Sequence, residues 1–219
     1  VVGGTVPVHG GVLLDLTGLS GIVSVDATSG VVEVLAGTFG DAFEAELSTN
    51  HGLTVGHWPQ SMALSTVGGW IACRGAGQLS NRYGKIEDIV LGLEVVLPDG
   101  RTIRTGGQPR EAVGPELSRL FVGAEGTLGV ITRAWLQAWP TPTGNGRSAW
   151  GYASFGAALE AMRRIVRRGA SPAVLRLYDG IESGRNVGVG RSVHVLLAYD
   201  EGDPVMVDAT MAVVTAECE

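Results

Sequence analysis

Three short glycine-bearing segments also carry hydroxyl residues: Val2-Gly3-Gly4-Thr5, Ser65-Thr66-Val67-Gly68-Gly69 and Gly123-Ala124-Glu125-Gly126-Thr127-Leu128-Gly129. Glycine lacks a Cβ, so backbone amides can approach an anion, and Ser and Thr hydroxyls add donors. Such loops can hold a pyrophosphate without a cation. The chain has a single lysine, Lys85, and no Gly-Lys-Ser/Thr loop, which excludes a P-loop nucleotide hydrolase. The third segment has three glycines, but their spacing is not that of a dinucleotide fingerprint, and a strand rather than a helix follows. Each loop alone is also an ordinary turn. Three together point to a phosphate-bearing ligand.

Other chemistry-bearing side chains stand singly. His57 is one of four histidines and reads either as a loop residue or as a donor near ligand oxygens. Arg176 ends an apolar strand, where a salt bridge or a bidentate grip on phosphate or carboxylate would suit it. Arg74 sits among glycines and could bond loop carbonyls. Glu125 is placed to fix its own loop or to meet a ribose hydroxyl. Cys73 reads as a small buried residue, with nothing to make it a reactive thiolate. Arg163, Arg164, Arg167 and Arg168 form a basic helix face, solvated or in contact with anionic headgroups. His9, His51, His57 and His194 show no metal-ligand spacing.

Hydrophobic residues make up 45% of the 219-residue chain and charged residues 17%, enough apolar content for a packed core. The net charge of -6 disfavours a nucleic-acid partner. Two cysteines exclude a disulfide scaffold and point to a reducing, cytoplasmic setting. No apolar run reaches the ~18 residues of a membrane helix. One lysine among 16 basic residues suggests a GC-rich bacterial source. Glycine, 34 residues, far exceeds the average of about 7% and must serve turns and close approaches.

The loops need elements to hold them. Strands are expected at 12–16 and over a hairpin around Ala27-Thr28-Ser29-Gly30. A helix is expected over 41–50, stopped by Gly52. Residues 53–84 read as loop. Strands follow at 89–97, 101–105 and 129–139, with a short helix over 117–122. Pro140 to Gly146 reads as a linker. Beyond it come a strand at 150–153, a helix from Ser154 to Gly169, strands at 174–178 and 193–199, and a helix opened by Asp203-Pro204. The pattern gives an α+β fold with a first domain over 1–140, a linker over 141–147 and the start of a second α+β domain over 148–219.

Four blocks then occur in order: Ser65-Thr66-Val67-Gly68-Gly69-Trp70-Ile71-Ala72, Tyr83-Gly84-Lys85-Ile86-Glu87-Asp88-Ile89-Val90, Glu94-Val95-Val96-Leu97-Pro98-Asp99-Gly100 and Gly123 to Thr132. Over residues 1–140 the chain resembles the FAD-binding domain of the vanillyl-alcohol oxidase, or PCMH, type. That resemblance implies FAD lying extended between two subdomains, the first of them incomplete here and ending at Val2-Gly3-Gly4-Thr5. It implies cofactor contacts at Val2, Gly3, Gly4, Gln60, Ser61, Ser65, Thr66, Gly68, Gly69, Cys73, Arg74, Ala76, Glu125, Gly126, Thr127, Gly129, Val130 and Ile131.

Gly56-His57-x-Pro59, Gly69-Trp70, Arg74 with Gly77, Pro109-Arg110 with Gly114-Pro115, and Ser171-Pro172-Ala173-x-x-Arg176-Leu177-x-Asp179 resemble the alkyldihydroxyacetonephosphate synthase branch. That branch implies exchange of acyl for alkyl on dihydroxyacetone phosphate through an adduct at the flavin N5, a step of ether-lipid synthesis, with His57 and Arg176 as active-site residues. Gln60, Met62-Ala63-Leu64 and Gly75-Ala76 depart from that branch. The alternatives are an FAD-linked dehydrogenase of glycolate or D-lactate and a silent nucleotide-binding module. The implied substrate is a lipid-like phosphate or a hydroxy acid. A homodimer and a peripheral membrane contact are compatible with this reading.

Overall fold

A computed structural model describes residues 6–109, 112–190 and 192–219. The expected contacts at Val2, Gly3 and Gly4, and Arg110, lie outside the described residues. The chain divides into two units. The first comprises Val1–Gly77 and Gly84–Pro140, and the second Gln78–Tyr83 and Thr141–Glu219.

In the first unit, β1 (Ile22–Asp26) and β2 (Val31–Leu35) form the expected hairpin. Helix α1 (Gly40–His51) ends at Gly52, whose φ of 63° is the left-handed cap that glycine adopts without strain. After β3 (Leu53–Thr54) comes a helix not expected from the sequence, α2 (Val67–Ala72). Its two glycines disguise it, since glycine is a poor helix former. It forms because Thr66 caps it, Oγ1 accepting from Gly69 N at 3.2 Å, and because Val67, Trp70 and Ile71 are buried.

The short α3 (Ser80–Tyr83) and α4 (Ile86–Ile89) precede β4 (Val90–Val96) and β5 (Thr102–Gly106). The first unit closes with α5 (Ser118–Phe121), β6 (Val130–Gln137) and β7 (Trp139–Pro140). Its main sheet has the order β1-β2-β6-β4-β5 and is antiparallel throughout.

One face of that sheet carries Val32, Val34, Leu93, Val95, Ala134 and Leu136, packed with Phe43 and Leu47 of α1 and with Trp70 and Ile71 of α2. Each fully buried large side chain contributes about 1.5–3 kcal/mol. The other face is polar, with Arg133 paired to Glu33 and Arg104 stacked 3.9 Å above Trp135. The strand expected at 12–16 is absent. That stretch is irregular, with Val12 96% exposed, because no neighbour among the described residues supplies ladder bonds to it.

In the second unit, β8 (Gly144–Tyr152) begins inside the stretch read as a linker, leaving only 141–143 between strands. The glycines of 144–146 hid the strand, because they lower local propensity. Then follow α6 (Phe155–Arg167), β9 (Val174–Tyr178), the unexpected α7 (Gly180–Asn186), β10 (His194–Gly202) and α8 (Pro204–Cys218). The sheet order is β8-β10-β9, antiparallel.

Ala161 and Ile165 of α6 and Val214 of α8 pack on Leu196 and Ala198 of β10, so the helices cover one face. Residues 78–83 fold with this unit. Asn81 Nδ2 donates to Pro172 O at 2.7 Å, Arg82 bonds Asp200 at 2.9 Å, and Tyr83 OH donates to Glu201 at 2.8 Å.

Candidate functional site

The second glycine loop binds less through its helix start than its sequence suggests. The Val67 amide donates to Thr38 O at 2.9 Å, that of Gly68 to Ala36 O at 2.7 Å, and that of Gly69 to the Thr66 hydroxyl. These donors are engaged within the protein. Gly68 is glycine for packing: a Cβ there would lie 2.7 Å from the Ala36 Cβ and 2.9 Å from its carbonyl oxygen. The Ser65 hydroxyl is also occupied. It donates to Ser61 O at 2.8 Å and accepts from Trp70 Nε1 at 2.7 Å and from Ser61 Oγ at 3.1 Å. The expected donors at 65–69 therefore build the loop, correcting the simple anion-cradle reading.

The groups left facing outward lie around this frame. Gln60, Ser61, Gly69, Cys73, Arg74 and Ala76 are exposed. Cys73 is thus not the buried residue expected, although its Sγ lies 3.7 Å from Trp70 O. Arg74 adopts φ 55° and directs Nε to Glu87 Oε1 at 3.1 Å, not to loop carbonyls. Lys85 Nζ reaches the same oxygen at 2.7 Å. Burial opposes ionisation of Glu87, but these cations override it and hold its pKa at about 2. Glu87 and Trp70 are the two site-building residues that single-motif reading missed. They lie in the 65–72 and 83–90 blocks, but neither sits at a loop tip, where ligand groups are sought.

The third loop is fastened beside the second. The Gly123 amide donates to Ile71 O at 2.9 Å, and that of Glu125 to Ala72 O at 3.0 Å. Glu125 takes φ 47°, and its side chain is exposed rather than bonded to its own loop. The loop is held instead by Thr127, whose amide and hydroxyl both reach Ala124 O. Gly126, with φ 81°, has open space where a Cβ would stand, so an approaching ligand meets bare backbone. Gly129 and Val130 lead into β6. Ile131 belongs to the core. The amide bonds from Gly123 and Glu125 thus join the 123–127 loop to the end of α2.

His57 is fully enclosed. Its ring lies 4.8 Å from that of Trp70, tilted 55°, and a Cβ on Gly75 would stand 3.5 Å from Nε2. Neither ring nitrogen has a hydrogen-bond partner among the described residues. Burial alone lowers its pKa to about 4, so the ring is neutral near pH 7.

Arg176, in the second unit, sits on edge strand β9. Its Nη1 lies 3.2 Å from Tyr178 OH, and no carboxylate pairs with it among the described residues. The basic face of α6 is largely neutralised: Arg163 bonds Glu160, and Arg164 and Arg168 both bond Glu217 of α8. Among the described residues no helix is long and apolar enough to cross a membrane.

Comparison with known proteins agrees with this geometry. Residues 1–106 match the FAD binding domain family. An alkyldihydroxyacetonephosphate synthase of Trypanosoma brucei brucei is 36% identical over 166 residues, covering 76% of this chain and 27% of that protein. The glycolate oxidase subunit GlcD of Bacillus subtilis is 33% identical over 225 residues, covering 99% of this chain and 47% of that protein. A solved alkyldihydroxyacetonephosphate synthase superposes with a TM-score of 0.80 at 24% identity, over 93% of this chain and 42% of that one, which shows a shared fold. The chain thus spans less than half the length of these relatives. With the FAD-domain match over residues 1–106, this part of the chain carries an FAD-binding domain of the PCMH type, whose cofactor is FAD.

Proposed function

We propose that the chain supplies part of the flavin cleft and the beginning of the substrate-contacting region of an alkyldihydroxyacetonephosphate synthase-like enzyme. The observation that carries this reading is the pair of backbone bonds from Gly123 and Glu125 to the end of α2, which join two separate loops. FAD bound there would supply an electrophile for the reacting carbon. Gln60, Ser61, Arg74, Ala76, Gly126 and Thr127 are the residues available to hold it. His57 positions the 73–77 loop and Trp70 without exchanging protons. Arg176 grips the anionic end of the substrate, its fork suited to phosphate or carboxylate. In the overall exchange the carbon–oxygen bond to the acyl group breaks and one to a fatty alcohol forms. The fatty acid leaves with the displaced proton, and no net oxidation occurs.

A second reading is an FAD-linked 2-hydroxy-acid dehydrogenase, favoured by the glycolate oxidase subunit match along 99% of the chain. Anaerobic mixing of the FAD-loaded protein with glycolate or D-lactate separates the two. Loss of the oxidised flavin absorbance supports the dehydrogenase, whereas an unchanged spectrum together with alkyl exchange supports the synthase. Equilibrium dialysis of the chain against FAD tests the shared premise, and absence of binding would remove it.

A further inference from the structure

The sheet face of the second unit opposite α6 and α8 carries a pair of arginines without acidic partners among the described residues. Leu196 and Ala198 point into the helix-covered core, so alternation places Leu197 and Tyr199 on the opposite face. In register, Leu197 pairs with Ala149 and Arg176, and Tyr199 with Arg147 and Val174. Arg147, Arg176, Leu197 and Tyr199 therefore share that face. Arg147 is exposed and has no ion-pair partner among the described residues. Arg176 is half-buried, and its hydrogen bond among the described residues goes to the neutral phenol of Tyr178.

The one carboxylate at the end of this face is Glu201. Its oxygens already accept from Tyr83 OH at 2.8 Å and Tyr199 OH at 2.6 Å. In a chain of net charge -6, cations left unpaired beside one another form a local positive field. The α6 arginines, tied to Glu160 and Glu217, do not.

We infer that Arg147 is a second anion-binding residue on this face, acting with Arg176 to select a phosphomonoester dianion over a monocarboxylate. The inference rests on the reading of Arg176 given above. Arg147 and Arg176 stand about 10 Å apart across two strand spacings and about 7 Å along the strands. Two long flexible stems can close that span over the small apolar floor of Ala149 and Leu197. The Tyr178 contact yields readily, because a charge-assisted bond to phosphate is about twice as strong as a neutral one. A monocarboxylate needs one guanidinium fork. A dianion has charge and oxygens for both.

Calorimetric titration of the intact chain with inorganic phosphate and with glycolate, at about pH 8 where a phosphate group is mainly dianionic, tests this. Arg147→Gln is expected to weaken phosphate binding about tenfold or more and glycolate binding less than about twofold, the loss of one charge-assisted contact. Arg147→Lys should recover most of the phosphate affinity. The inference is overturned if the intact chain does not bind phosphate, if Arg147→Gln leaves phosphate binding unchanged, or if both anions lose equally. Arg176→Gln separates this from its premise. If that variant binds both anions like the parent chain, the role given to Arg176 fails. If it loses both while Arg147→Gln loses neither, only the role of Arg147 fails.

Discussion

Arg74 Nε and Lys85 Nζ converge on one oxygen of Glu87, at 3.1 and 2.7 Å. Glu87 is 6% exposed, whereas the two cations are about half exposed, so the buried carboxylate is the fixed point and the cations are held by it. Its pKa of about 2 lies below the usual carboxylate value of 4.5. A lowered carboxylate stabilises the fold above its unfolded pKa, and that contribution disappears as pH falls through the folded one. The contribution of Glu87 should therefore rise from pH 2 to 4.5 and then level off. Glu87→Gln should cost about 1–3 kcal/mol at neutral pH and flatten that acid limb. Urea unfolding at several pH values checks this, and an unchanged acid limb in the variant would exclude the ion-pair account.

His57 gives the same direction from a different cause. Its pKa falls from 6.5 to about 4 because the charged ring loses water. The unfolded chain takes up the proton first, so the contribution from this residue is complete above pH 6.5 and declines as pH falls to 4. The full effect is about 3 kcal/mol by linkage. In His57→Phe, which keeps a flat ring against Trp70, the slope between pH 6.5 and 4 should vanish while the fold survives. Thermal melts across that window give the answer. A slope retained in the variant would assign it to other groups.

The core strands were legible because their apolar residues alternate: Val32 and Val34, Leu93 and Val95, Ala134 and Leu136 all face one way. The capped helices were legible through Ser154, Asp203 and Gly52. Helix α2 was not, because Gly68 and Gly69 lower its propensity and only the tertiary fit against Ala36 restores it. At the site, glycine and hydroxyl spacing located loops 65–69 and 123–129. Spacing could not reveal that the Gly68 amide and the Ser65 hydroxyl are consumed by the frame, since their partners Ala36, Trp70 and Ser61 are set by folding. The Glu87 pairing was hidden for the same reason.

Gly68 and Gly69 should differ although they are neighbours. At Gly68 a Cβ would meet Ala36 atoms at 2.7 and 2.9 Å, two of them backbone or Cβ that cannot swing aside. At Gly69 the nearest atom is the Thr66 hydroxyl at 3.3 Å. Gly68→Ala should cost about 1–3 kcal/mol by overpacking. Gly69→Ala should be neutral or stabilising by up to about 1 kcal/mol, since alanine favours a helix. Denaturation midpoints decide between them. Equal costs would mean that α2 does not approach β2 as closely as the Gly68–Ala36 contact requires.

Arg82 tests the second unit alone. Asp200 is fully buried, and one of its oxygens accepts from Arg82 at 2.9 Å and from the Ala173 amide at 3.1 Å. Removing the cation by Arg82→Met leaves an uncompensated buried carboxylate, which should cost toward 3 kcal/mol, the lower end of about 3–5 kcal/mol because Arg82 is itself partly exposed. Pairing that change with Asp200→Asn should recover a large part of the loss, because the amide still accepts from Ala173 and carries no charge. The signature is a double-mutant coupling of about 1 kcal/mol or more in urea unfolding, with Arg82→Met alone the least stable of the set. Additive losses from the two substitutions would mean that segment 78–83 is held by Asn81 and Tyr83 rather than by the ion pair.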